Sequence, residues 1–97
     1  MSSKAERAHM GRVADQGCVI CKRLGYGTTP AQVHHIRDGA GLSQRTSGWH
    51  AIPLCEAHHT GQNGVHGLGT RAFERTYGTT ELDLSAETLE NIYGGQR

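Results

Sequence analysis

Cys18 and Cys21 form a C-x-x-C hook, Cys55 and His58 form a C-x-x-H hook, and the other imidazoles crowd the second hook, with His34-His35 before it and His59 directly after it. Two short hooks of thiol and imidazole suit one tetrahedral zinc ion, because each delivers two ligands from a tight turn. Three cysteines cannot all pair as disulfides, whereas one histidine completes a four-ligand set. The reading is a structural zinc on Cys18, Cys21, Cys55 and His58. A thioredoxin-like dithiol would need a βαβ context that the flanking sequence lacks. Unligated buried thiols would leave the Cys55 and His58 spacing a coincidence. The leftover imidazoles point to a second, chemically active centre.

Elements must hold these hooks in place. The 97 residues, 35% hydrophobic and 5% aromatic, make one small domain whose core stabilises it only modestly, so metal is the expected staple. A loose helical period over residues 3–16 predicts an N-terminal helix that ends at Gly17 and delivers the chain to Cys18. Gly17 to Lys22 reads as a zinc knuckle. Gln32 to Ile36 and Trp49 to Leu54 read as a two-stranded antiparallel ribbon, with Pro53 at an edge or end. A helix is predicted over Leu68 to Tyr77, stopped by Gly78. A last helix is predicted over residues 85–93, with Ser85 as cap and Leu84 and Leu89 as a hydrophobic staple. His9 lies away from every motif and is read as surface.

Net charge is only +1, so the broad basic footprint of many nucleic-acid binders is absent and charge neither demands nor excludes DNA. No apolar run approaches a membrane span, and the start lacks a signal-peptide apolar region. With metal-type cysteines, the expectation is a soluble protein of the reducing cytoplasm, without a membrane partner.

Adjacent histidines at the end of a strand point to opposite faces, so one can hold a metal while the other meets substrate. Phosphodiester hydrolysis needs such parts: a base for water and a cation beside the phosphate. Val33-His34-His35-Ile36 followed by Ile52-Pro53-Leu54-Cys55-Glu56-Ala57-His58-His59 resembles the ββα-metal (HNH, His-Me finger) nuclease motif. The longer string through Gly64-Val65-His66-Gly67 and Phe73 is similar to the phage recombination-enhancement (Ref-type) branch, and the likeness spans residues 17–78. It implies a small α+β fold with a ββα-metal core, structural zinc and flanking helices. It further implies that His34 and His59 ligate a catalytic metal, with His66 as a third ligand, and that His35 is the general base. On one continuous helix, His59 and His66 would stand about 10.5 Å apart, too far to share an ion, so a loop at the intervening glycines is expected. Where the family has a bracing asparagine, this chain has His50. Arg37 and Arg45 are candidate DNA-phosphate contacts, and Asp38 a candidate orienting carboxylate.

The function so implied is metal-dependent hydrolysis of DNA in phage or prophage recombination or DNA processing, inside a bacterial host. All-imidazole ligation suits zinc or nickel, while the resemblance also admits magnesium or manganese. Ref-type relatives act with a RecA-type recombinase filament, which makes such a filament a candidate partner beside DNA. The rival is a non-catalytic zinc-stabilised module that binds DNA or protein on the same scaffold. A zinc deaminase would need an H-x-E pattern, and Ile36-Arg37 follow the histidine pair instead.

Overall fold

A computed structural model describes residues 3–37 and 47–94. Ser3 opens helix α1 (Lys4–Asp15), its hydroxyl accepting the Glu6 backbone N–H at 3.0 Å. Gly17 then turns the chain with φ +79°, where a Cβ would stand 2.8 Å from the Thr28 methyl. The predicted knuckle is a short helix, α2 (Val19–Arg23), capped by Cys18, whose sulfur accepts the Cys21 N–H at 3.4 Å.

Strand β1 (Gln32–His34) pairs antiparallel with β2 (Ile52–Leu54), Val33 opposite Pro53 and His34 opposite Ile52. Both strands are shorter than the sequence predicts. Pro53 has no N–H to extend the ladder, and Gly48–His50 curls into a 3-10 turn instead of joining β2. The chain continues through α3 (Glu56–His59), α4 (Val65–Leu68), α5 (Thr70–Tyr77) and α6 (Glu81–Tyr93). The architecture is small α+β.

Two helix boundaries differ from expectation. The helix predicted over Leu68 to Tyr77 is broken at Gly69, whose φ of +89° and ψ of 154° no helical residue adopts. Its stop is as predicted, with Gly78 left-handed at φ +67°. The last helix starts at Glu81 instead of Ser85, because the Thr80 hydroxyl accepts the Asp83 N–H at 3.0 Å and caps it a turn earlier. Ser85 is thereby buried within the helix, and so is Leu84.

The core joins the cysteines to apolar residues from every layer: Cys18, Ile20, Cys21, Ile36, Ile52, Leu54, Cys55, Phe73 and Leu84 belong to one buried cluster. His9, read from sequence as surface, is 0% exposed. Its ring stacks near Trp49 and Tyr93, with centroids 4.8 and 5.7 Å away, and its Nδ1 is 2.7 Å from the Tyr93 hydroxyl. Its distance from every motif suggested surface, but α6 and the 3-10 turn pack against α1 and cover it. Among the described residues, no helix is long and apolar enough to cross a membrane.

Candidate metal centres

The C-x-x-C hook ends in α2 and the C-x-x-H hook opens α3, and the two meet inside the core. All three thiols are free and buried. Cys21 and Cys55 sulfurs are 3.8 Å apart, and His58 Nδ1 lies 3.6 Å from Cys18, 3.6 Å from Cys21 and 3.2 Å from Cys55. A tetrahedron built on ordinary zinc–sulfur and zinc–nitrogen bonds has S–S edges of about 3.8 Å and S–N edges of about 3.6 Å. The observed edges fit that cage, and a disulfide would need sulfurs about 2.05 Å apart. Cys18, Cys21, Cys55 and His58 therefore form a cluster able to hold a metal ion such as zinc.

Burial pushes the Cys18 thiol up to about 11 in the metal-free chain. An incoming cation must displace that proton. Tyr77 packs beside the cluster, its ring perpendicular to that of His58 with centroids 5.3 Å apart and its hydroxyl donating to the Asn63 carbonyl at 2.8 Å.

A second cluster gathers three imidazoles. His34 ends the strand, His59 ends α3 and His66 sits in α4; their ring centroids are 5.2 Å (His34 to His59), 5.1 Å (His34 to His66) and 4.8 Å (His59 to His66) apart. Imidazoles sharing one ion stand with centroids about 5.2 Å apart at tetrahedral angles and about 4.5 Å apart at octahedral ones. All three distances fall in that interval, and the three rings can offer their nitrogens to one cation. The loop expected between His59 and His66 is present. Gly64 allows it, since a Cβ there would lie 2.6 Å from the His58 carbonyl carbon and 2.7 Å from the His59 nitrogen.

Burial lowers the pKa of His59 and His66, and the neighbouring His34 ring lowers both further. That favours the neutral, metal-binding form of each. His34, His35, Arg37, His59 and His66, with Val33, line one cavity of about 210 Å³. His35 is half-buried beside the cluster and Arg37 is exposed at its rim.

Other predicted site residues are placed differently. His50 stands exposed on the 3-10 turn and does not line this cavity. Arg45 and Asp38 lie outside the described residues. Sequence reasoning missed two partners of the histidines. Glu81, 0% exposed, holds His34 Nε2 at 2.8 Å, and Gln32 Oε1 lies 2.7 Å from His59 Nδ1. In the sequence Glu81 is one acidic residue ahead of the helix predicted over residues 85–93, and it carries no sign of a partner.

No protein-family model matches the chain, and no curated protein sequence matches it.

Proposed function

We propose that this chain is a metal-dependent endonuclease of the ββα-metal (HNH) type that hydrolyses DNA phosphodiester bonds. The carrying observation is the convergence of His34, His59 and His66, with His35 and Arg37 on the same cavity. The order β1, β2, α3 supports a strand, strand and helix core of that kind, and the Cys18–Cys21–Cys55–His58 cluster, able to hold a metal ion, supports a structural zinc beside it. The chain's likeness to the Ref-type branch extends the proposal to phage or prophage recombination, with a RecA-type filament as partner.

In this reading neutral His35 accepts a proton from water as the oxygen attacks phosphorus in line. His34, His59 and His66 would hold the divalent cation, zinc, nickel, manganese or magnesium. When bound, that cation supplies positive charge against the charge that develops on the phosphoryl and leaving oxygens. Arg37, at the cavity rim, contacts a neighbouring phosphate oxygen and sets the register of the strand.

The test is incubation of supercoiled plasmid and single-stranded circles with the purified chain and magnesium, manganese or zinc, beside a folded, zinc-loaded His35→Ala variant, each with and without a recombinase filament. Cleavage by the native chain that the variant loses is the expected result. Equal cleavage by both removes His35 as base, and no cleavage under any condition turns the reading towards a zinc-stabilised binding module.

A further inference from the structure

We infer that Glu81 is the orienting carboxylate of the imidazole centre: it fixes the tautomer of His34, so that His34 meets the cation through Nδ1, and it clamps the segment that carries His35. The inference rests on the imidazole metal site proposed above and adds to it a positioning residue that lies outside every motif in the sequence.

The geometry around Glu81 is specific. Its side chain is 0% exposed, and its two oxygens are used differently: Oε2 meets His34 Nε2 at 2.8 Å, and Oε1 accepts the Arg37 backbone N–H at 2.8 Å. A carboxylate only accepts hydrogen bonds, so a neutral His34 must carry its proton on Nε2 and leave Nδ1 bare. A histidine that ligates a metal through one nitrogen commonly donates its other N–H to a carboxylate, which raises its basicity and fixes the ring.

His59 follows the same logic with a weaker partner. An amide oxygen also only accepts, so Gln32 Oε1 at 2.7 Å places the His59 proton on Nδ1 and leaves Nε2 bare. Two of the three imidazoles thus have one nitrogen occupied by an acceptor and the other available to a cation. Glu81 does more than Gln32, because its bonds to His34 and Arg37 bracket His35 and the fully buried Ile36. Glu81 is itself held, its backbone N–H donating to Glu74 Oε2 at 2.7 Å in the first turn of α6. A single carboxylate thereby ties the last helix to the strand end where ligand and base reside.

Glu81→Gln keeps the volume and removes the second acceptor. The amide oxygen satisfies the Arg37 N–H, and the NH₂ group then faces His34 Nε2, which must become the acceptor. That moves the His34 proton to Nδ1, the nitrogen the cation needs.

The experiment is cobalt(II) titration of the full chain, native, Glu81→Gln and His34→Ala. The thiolate site reports by sulfur-to-metal charge-transfer absorption in the near ultraviolet, and the imidazole site by d–d bands alone, so the two ions are counted separately. The native chain is expected to bind both. Glu81→Gln is expected to keep the thiolate ion and to lose about 10- to 100-fold in affinity for the second, and to add nothing when combined with His34→Ala. A second-ion affinity within about twofold of native overturns the inference and leaves the imidazole site standing. A native chain that binds only the thiolate ion overturns both. If Glu81→Gln does not fold, ¹⁵N NMR of the zinc-loaded native chain decides instead: His34 protonated at Nε2 and ligated through Nδ1 supports the role, and the opposite tautomer overturns it.

Discussion

His59 and His66 face each other with ring centroids 4.8 Å apart, although on a continuous helix they would be separated by about 10.5 Å. The helix ends after His59, the chain folds back through Gly61 to Gly64, and α4 begins again at Val65. Gly64 packs against the His58–His59 peptide, where only backbone can give way.

Gly64→Ala is therefore expected to push α4 off α3 and carry His66 away from the other two rings. Overpacking of this kind costs about 1–3 kcal/mol. The larger effect is on the imidazole ion, whose affinity falls while the thiolate ion stays. Metal content after dialysis, read by atomic spectrometry, distinguishes the two. Equal retention of both ions would show that His66 is not held by this turn.

Removing the thiolate ion should unfold the domain. Cys18, Cys21 and Cys55 are members of the buried cluster as well as of the set able to hold a metal ion, and zinc in small folds contributes about 10–16 kcal/mol. A strong chelator, or Cys55→Ser, should abolish the helical circular dichroism and the cooperative melt. A chelated chain that melts at the native temperature would remove metal as the staple.

Zinc affinity at that site should rise with pH. Burial holds the Cys18 proton up to about 11, so at neutral pH zinc must displace it, and affinity gains about tenfold per pH unit for each proton displaced. Competition with a chromophoric chelator between pH 6 and 8 measures the slope. A flat profile would mean that the thiols ionise before the metal arrives.

His34 and His35 should separate ligand from base. His34→Ala is expected to lose the imidazole ion and cleavage together. His35→Ala is expected to keep both ions and lose cleavage by about 10²- to 10⁴-fold, the usual worth of a general base. Loss of the second ion in His35→Ala would make it a ligand.

Burial also lowers the pKa of His9 from 6.5. The folded chain then binds fewer protons than the unfolded one, so this contribution to stability is whole above pH 6.5 and is lost as pH falls through the depressed native value. His9→Phe keeps a ring between Trp49 and Tyr93 without the titration. The melting temperature of the variant should drop less than that of the native chain between pH 7.5 and 5.5, conditions under which the other histidines act equally in both. Parallel curves would show that His9 does not titrate with folding.

The two hooks were legible because each is local. Cys18 with Cys21, and Cys55 with His58, place two donors within a single turn, and a small chain with little apolar surface needs such a staple. The alternation of a strand end likewise gave His34 and His35 different surroundings, buried and half-buried, and the glycines before His66 announced the turn that brings it back. What spacing could not reveal was set by packing between distant segments. His9 became core only when Trp49 and Tyr93 closed over it. His50 left the site because Gly48–His50 curled away from the ladder. Glu81 met His34 across 47 positions of sequence, and it did so because Thr80 capped α6 a turn early and drew Leu84 into the core. Candidate metal ligands are written in short-range spacing, whereas the partner that a buried histidine meets depends on which buried faces find each other when the chain collapses.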